Sequence, residues 1–208
     1  MVNGLTLSDL KEYDHVCEGC ALGKSHRLPI PGVSETKYEK MGLLAVDLTG
    51  PMAVVSWSGM LYALIVVEAS SRYIVCRLLE MKREVATALK EVIALLERQS
   101  GTKTKKIRTD NGGEFVNPTI NELCRRNGIV HETTTPYTPE QNGIAEHTIA
   151  TCFEMVRCML HSSKMDSQYW GEALMYTVHI RNLSPMSALP SIVPYEAWTG
   201  RKPDVSHL

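Results

Sequence analysis

Apolar positions along the chain repeat with two different periods, and the shorter period predicts β-strands. An apolar run at 42–46 is followed by two stretches rich in β-branched and aromatic residues, at 61–68 and 73–79. Shorter stretches at 106–109 and 129–133 have the same character. The sequence therefore predicts a sheet of five short strands.

The longer period, with apolar residues three or four positions apart, predicts helices between and after these strands. We expect helices at 82–99, at 118–126, from 142 onward and at 166–182, and we expect Trp198 to be a buried anchor near the end of the chain. Three strands, a helix, a strand, a helix, a strand and further helices form a mixed α/β order. Such an order predicts one sheet with helices on its faces.

Three carboxylates stand where these elements end or begin. Asp47 closes the first apolar run, Asp110 directly follows the strand at 106–109, and Glu146 lies in the first turn of the helix that starts near 142. Taken alone, Glu146 would be an ordinary first-turn glutamate favoured by the helix dipole. Together the three offer the hard oxygen ligands that Mg²⁺ prefers, and a pair of such ions can drive phosphoryl transfer.

Four sequence motifs carry a resemblance to a known family. They are Val-Asp-Leu-Thr-Gly-Pro at 46–51, Thr-Asp-Asn-Gly-Gly-Glu-Phe at 109–115, Thr-Pro-Tyr-Thr-Pro-Glu-Gln-Asn-Gly-Ile-Ala-Glu at 135–146 and Pro-Tyr-Glu-Ala-Trp-Thr-Gly at 194–200. Each motif is weak alone, but their shared order is specific. From about Met1 to Leu208, the chain resembles the integrase region of copia-type LTR retrotransposon Pol polyproteins, which is a retroviral-type integrase catalytic core.

The resemblance implies an RNase H-like α/β fold, with a mixed five-stranded sheet flanked by helices and with C-terminal helices. It implies a polynucleotidyl transferase that processes the ends of element DNA and joins them to target DNA. The implied catalytic and metal-binding triad is Asp47, Asp110 and Glu146, whose carboxylates should converge on two Mg²⁺ or Mn²⁺ ions. The implied partners are element ends and target DNA, and the active form should be a homo-oligomer.

We divide the chain by this resemblance into three parts. Residues 1–34 are expected to be a remnant of a zinc module with a linker, residues 35–165 the catalytic core, and residues 166–208 a helical extension of that core. The expected location is the nucleus, with cytoplasmic particles before import. The sequence has no uninterrupted apolar run of membrane-spanning length, so no membrane partner is expected.

The zinc module predicted for the N-terminal residues is incomplete. Only Cys17 and Cys20 remain of the family's two histidines and two cysteines, and two thiolates are half of a four-ligand zinc site. His15 and His26 could complete a site at improvised spacing. The ligand count nevertheless predicts that this fragment does not hold zinc. The other cysteines are scattered, which favours reduced thiols in the cytosol or nucleus.

Charge makes DNA binding depend on local patches. The formal net charge is −1, whereas a DNA-binding protein must neutralise phosphates. One candidate patch contains Lys103, Lys105, Lys106 and Arg108, which lead into Asp110. These residues are either a phosphate-binding segment or an ordinary solvated connection, and the sequence leaves both open.

The helix that carries Glu146 departs from the family pattern. The usual stretch resembles Glu-Arg-x-Asn-Arg-Thr, but His147 and Ala150 occupy the two arginine positions here. Arginine is permanently charged and grips phosphate with two hydrogen bonds, whereas histidine is mostly neutral at pH 7 and alanine offers no donor. His147 therefore remains a candidate DNA contact, and the substitutions predict an impaired strand transferase.

Several other polar residues have no predicted role in chemistry. Glu114 is an additional carboxylate just behind Asp110, and His131, His161 and His179 lack partners at ligand spacing. The sequence therefore predicts an integrase catalytic core. Two alternatives remain open: a non-catalytic nucleic-acid-binding or protein-interaction module derived from an integrase, and a hybrid-specific RNase H of the same fold.

Overall fold

The structure is a computed structural model, and it describes residues 38–134 and 143–206. The expected zinc remnant at 1–34, with Cys17 and Cys20, lies outside the described residues. So does most of the motif that precedes Glu146.

The described strands form the predicted mixed five-stranded sheet. Their bounds are β1 Leu44–Thr49, β2 Tyr62–Glu68, β3 Ile74–Leu79, β4 Lys106–Thr109 and β5 Val130–Thr133, in the order β3-β2-β1-β4-β5. The first three strands pair antiparallel along the hairpin connections, while β4 and β5 join parallel to β1. A crossover helix is needed before each parallel strand, and the sequence supplies one at both places.

The described helices follow the predicted order, with small shifts at their ends, and a short last helix around Trp198 was not predicted. They are α1 Val85–Ser100, α2 Pro118–Asn127, α3 Gly143–Ser163, α4 Trp170–Leu183 and α5 Pro194–Thr199. Short 3₁₀ turns at Lys82–Glu84 and Ser167–Tyr169 precede α1 and α4, so the first predicted turn of each helix is 3₁₀ rather than α-helical. The side chain of Asp166 accepts a hydrogen bond from Gln168 N and so caps the 3₁₀ turn that precedes α4.

The two faces of the sheet build separate apolar cores, because successive strand residues point to opposite sides. Leu44, Val46 and Ile107 lie in the cluster formed with α1 and α2, whereas Ala45 and Ile65 lie in the cluster formed with α3 and α4. Covering both faces explains why the central strands are almost continuously apolar. The arrangement is the expected RNase H-like fold.

Asn182 of α4 closes the outer edge of the sheet, where β3 would otherwise expose its backbone. Its side chain accepts a hydrogen bond from Ile74 N and donates one to Ile74 O, both at 2.8 Å. The side chain is buried, and it satisfies the edge strand as another strand would.

We expect Asn182→Ala to cost about 2–3 kcal/mol, because it leaves a buried N–H and a buried carbonyl without partners. Asn182→Asp should cost a similar amount, since a carboxylate cannot donate to Ile74 O. Thermal unfolding of both variants checks this, with the exposed Glu172→Gln in the same helix as the control. A wild-type melting temperature for Asn182→Asp would mean that only the Ile74 N–H bond matters.

Trp198 is buried as predicted, and it lies in the same apolar cluster as α1. Its ring stacks on Tyr73 with centroids 5.6 Å apart, and its Nε1 donates to Gln99 Oε1 at 2.9 Å. Lys40 lies over the ring and donates to the Trp198 carbonyl. The last helix therefore packs on the apolar core between the sheet and α1, while the expected boundary at 166 stays a prediction. Among the described helices, none is long and apolar enough to cross a membrane.

Candidate active site

Asp47 and Asp110 lie at the same end of two adjacent parallel strands. Leu44 of β1 pairs with Ile107 of β4, and Ala45 pairs with Arg108, so each aspartate stands two residues beyond a paired position. Asp47 shares its face of the sheet with Ala45, which packs against α3 and α4. Ile107 belongs to the opposite cluster, so the same alternation directs Asp110 toward the α3 side.

Backbone hydrogen bonds orient both aspartates. Asp47 Oδ1 accepts from Leu48 N at 2.8 Å, and Asp110 Oδ1 accepts from Gly112 N at 3.0 Å. A side chain at Gly112 would have its Cβ 2.7 Å from Glu114 Cδ and 3.0 Å from Asp110 Oδ1. The glycine therefore lets two carboxylates approach the same backbone turn.

Glu146 reaches this end of the sheet from α3, which packs on β1 and β2. It is exposed in the first helical turn, whereas Asp47 and Asp110 are partly buried. The pKa of Asp47 is raised to about 6, mainly by burial and in addition by the negative charges of Asp110, Glu146 and Glu114, although the hydrogen bond from Leu48 N lowers it. The structure thus brings the three predicted carboxylates into electrostatic contact.

Glu114 is a fourth carboxylate in this neighbourhood, and the sequence analysis gave it no role. Its Oε1 accepts a hydrogen bond from Lys82 Nζ at 3.2 Å, so the pair joins the turn before α1 to the turn after β4. A signal was present in the sequence, since Glu114 follows Asp110 by four residues across two glycines. Its negative charge acts on Asp47, which distinguishes it from a remote surface glutamate.

The carboxylates are not assembled into a ligand cage. Within residues 38–134 and 143–206, no three His, Cys, Asp or Glu side chains are close enough together to hold a metal ion. The donor chemistry nevertheless suits a divalent cation, because the partly buried Asp47 faces three negative charges that such an ion would neutralise.

Comparison with known proteins identifies the family. Residues 37–139 match the family described as the integrase core domain. The chain is 36% identical over 192 residues to the retrovirus-related Pol polyprotein from transposon TNT 1-94 of Nicotiana tabacum, covering 92% of the chain and 14% of that protein. It is 27% identical to the corresponding polyprotein from transposon RE2 of Arabidopsis thaliana, covering 92% of the chain and 13% of that protein.

The chain belongs to the integrase region of copia-type Pol polyproteins. It spans about one seventh of the length of these relatives. Its fold is similar to that in a cryo-EM structure of the simian T-cell lymphotropic virus intasome in complex with PP2A regulatory subunit B56 gamma, with a TM-score of 0.63 and 16% identity. That match covers 84% of this chain and 59% of the other, and at this identity it supports the fold alone.

The four basic residues proposed to contact DNA are all paired with carboxylates in this integrase core. Lys103 bonds Glu97 and Lys105 bonds Glu39, both at 2.6 Å, while Lys106 and Arg108 each lie 2.8 Å from an oxygen of Glu132. The Lys106 hydrogen bond is the main reason that the pKa of Glu132 is lowered, and Arg108 adds to it.

The exposure of these ion pairs indicates which of the basic residues can contact DNA most easily. Lys103 is 80% exposed and Lys105 is 54% exposed, and exposed pairs contribute only about 0–1 kcal/mol, so a phosphate can displace their partners. Arg108 is only 20% exposed and binds Glu132 through two nitrogens. Lys103 and Lys105 are therefore better placed than Arg108 to bind DNA.

His147 and Ala150 are both exposed on the helix that presents Glu146. His147 Nδ1 lies 3.4 Å from Thr151 Oγ1, which is a weak contact within the helix. Neither residue supplies a permanent positive charge beside Glu146. At these two positions α3 therefore carries fewer cations than the usual Glu-Arg-x-Asn-Arg-Thr helix.

His131 of β5 has a partner that the sequence did not reveal. Its Nε2 lies 2.9 Å from Thr109 Oγ1, and the Thr109 hydroxyl also lies 2.8 Å from the main-chain oxygen of Asp110. Burial lowers the pKa of His131, so its ring is neutral near pH 7. Through Thr109, His131 is therefore linked to the main chain of Asp110, a candidate metal ligand.

Proposed function

We propose that this chain is the catalytic core of a retrotransposon integrase that processes DNA ends and joins them to target DNA. The observation that carries the proposal is Asp47, a partly buried carboxylate with a raised pKa that faces Asp110 and Glu146 across adjacent elements. Such an arrangement is costly without a cation and becomes favourable when one binds. An integrase of this kind would act on nuclear DNA as a homo-oligomer.

In this proposal the carboxylates hold two divalent ions, Mg²⁺ or Mn²⁺. Asp47 and Asp110 would hold the ions from the strand ends, and Glu146 would hold them from α3. The bound ions would supply charge neutralisation at the reacting phosphate. Backbone hydrogen bonds orient the two aspartates at the strand ends, and Glu146 is presented by the first turn of α3.

A strand-transfer assay with short DNA ends tests the proposal. We expect joined products in Mg²⁺ or Mn²⁺, none in EDTA, and a loss of at least about 10³-fold for Asp110→Asn or Glu146→Gln, because the ions stabilise the transition state. Glu91→Gln is the matched control, since Glu91 is an exposed carboxylate on α1. Activity that survives Asp110→Asn would remove the triad from the mechanism.

A non-catalytic DNA-binding or interaction module is the second candidate. It is favoured by the ion-paired basic segment and by His147 and Ala150 at the two positions where arginine is usual. Such a module would bind DNA equally well in EDTA and in Mg²⁺, and it would give no detectable joined DNA in the strand-transfer assay. DNA binding by fluorescence anisotropy, measured in parallel, separates the two candidates.

The residues at positions 147 and 150 lead to a prediction about DNA affinity. The double variant His147→Arg, Ala150→Arg should bind DNA more tightly and steepen the salt dependence by roughly one unit of slope per added phosphate contact. Strand transfer should rise together with DNA affinity if weak DNA binding limits the reaction. The control is Lys90→Arg on the remote helix α1. Tighter binding with joining still undetectable would place the defect elsewhere and favour the non-catalytic module.

A further inference from the structure

His131 and Thr109 lie on the opposite side of the sheet from the candidate carboxylates. Thr109 alternates with Arg108 along β4 and shares the side of Ile107, which packs against α1 and α2. Ile107 is paired with His131 across the parallel strands, so His131 points to that same side. The Thr109 side chain is completely buried, and the His131 ring lies against it.

The hydrogen bonds allow one consistent arrangement of protons. The main-chain oxygen of Asp110 can only accept, so the single hydroxyl proton of Thr109 must be donated to it. Thr109 Oγ1 then accepts a proton from His131 Nε2. The neutral ring therefore carries its hydrogen on Nε2, and a continuous donor chain runs from His131 through Thr109 to Asp110.

We propose that His131 is a positioning residue for Asp110 and acts through the Thr109 hydroxyl. This chain of hydrogen bonds holds the peptide group of Asp110 from the side of the sheet opposite the candidate carboxylates. Two further bonds reinforce the same turn: Thr134 N donates to Thr109 O at 3.0 Å, and Asn111 Nδ2 donates to Thr134 O at 2.9 Å. The side chain of Asp110 is then oriented by its bond from Gly112 N.

This positioning has a direct consequence for metal binding. Partners that orient a metal ligand typically change metal affinity by about 10–100-fold when they are removed. The bond from Gly112 N keeps its geometry only while the Asp110 peptide stays in place. Loss of the Thr109 hydroxyl should therefore loosen the carboxylate without removing any ligand.

The first experiment measures hydrogen exchange at backbone amides and needs no metal. In the full chain, Thr109→Val and His131→Leu should speed hydrogen exchange at the Gly112 and Thr134 amides by about tenfold, with no comparable change in β2. Thr109→Ser and His131→Gln retain the donors, so they should exchange like the wild type. Exposed Thr133→Val is the matched control for loss of a hydroxyl. Equal acceleration at all amides would show global destabilisation and would overturn the proposal.

The second experiment rests on the proposed function, because it measures Mn²⁺ affinity by calorimetry. Thr109→Val and His131→Leu should weaken Mn²⁺ binding about tenfold or more, and the double variant should be no weaker than Thr109→Val alone. If the losses of Mn²⁺ affinity add up in the double variant, the two residues do not act through one chain of hydrogen bonds. If the wild type binds no Mn²⁺ but the amide pattern appears, the proposed function fails and the positioning role stands. Unchanged Gly112 exchange in both variants overturns the positioning role itself.

Discussion

Replacing Asp47 with asparagine is expected to stabilise the metal-free chain and to abolish DNA joining. Burial and the charges of Asp110, Glu146 and Glu114 raise the pKa of Asp47 to about 6, so its ionised form is disfavoured in the folded state. Asparagine has nearly the same shape and no charge. We expect it to stabilise the fold at pH 7 by about 1–2 kcal/mol, less than the pKa shift alone would give, because solvent screens part of the repulsion.

The stabilisation should depend on pH in a defined direction. A carboxyl group whose pKa is raised by folding binds its proton more tightly in the folded state, so stability falls as the pH rises. The difference between wild type and Asp47→Asn should be near zero below about pH 4 and should reach its full size above about pH 6. Urea denaturation in EDTA at several pH values measures this difference.

Divalent ions should reverse the order of stability. Mn²⁺ should raise the melting temperature of the wild type, because it neutralises the clustered carboxylates, and should leave Asp47→Asn almost unchanged. Strand transfer by the variant should be undetectable. Glu91→Gln should follow the wild type throughout. A variant that is less stable than the wild type in EDTA at pH 7 would contradict the proposed electrostatic cost at Asp47.

Local sequence patterns predicted the sheet because each strand carries its own signal. The apolar runs before Asp47 and Asp110 marked two strand ends, and the structure places these strands side by side. The motifs supplied the family, which the comparisons confirm. The roles of Asp47, Asp110 and Glu146 stay predictions, since adjacency of carboxylates does not by itself establish chemistry.

Pairs between distant residues could not be predicted from local patterns. Lys105 is bound by Glu39, which lies 66 positions away, and Lys106 by Glu132, 26 positions away. The sequence showed a basic segment, whereas folding brings carboxylates to each of its residues. The same reason explains why His131 looked isolated: its partner Thr109 lies on another strand and is a common core residue.

Replacing Glu68 with alanine is expected to cost about 3–5 kcal/mol, which is more than the loss expected for Asn182→Ala. Glu68 is completely buried at the end of β2, and its carboxylate accepts three hydrogen bonds. Oε1 accepts from Met41 N at 3.0 Å, while Oε2 accepts from Ser71 N at 2.7 Å and Ser71 Oγ at 2.6 Å. Alanine would leave the two backbone donors buried without partners and a cavity between them.

The carboxylate also holds a strained segment in place. Met41 has a positive φ of 61°, which is unfavourable for a residue with a side chain, and its carbonyl accepts from Lys105 N. Glu68 thereby ties the chain before β1 to the hairpin between β2 and β3. Losing this tie should loosen the strand that carries Asp47, so the variant should also lose DNA joining near its melting temperature.

Thermal and urea unfolding measure the effect, and two further variants interpret it. Glu68→Ala should lower the melting temperature by about 10 °C for a chain of this size. Glu68→Gln keeps the volume but places an amide N–H₂ against hydrogen-bond donors, so it should fall between alanine and the wild type. The exposed Glu91→Ala should stay within about 0.5 kcal/mol. A melting temperature for Glu68→Ala within 2 °C of the wild type corresponds to a change of only about half a kcal/mol in the free energy of unfolding. That result would mean that water replaces the carboxylate.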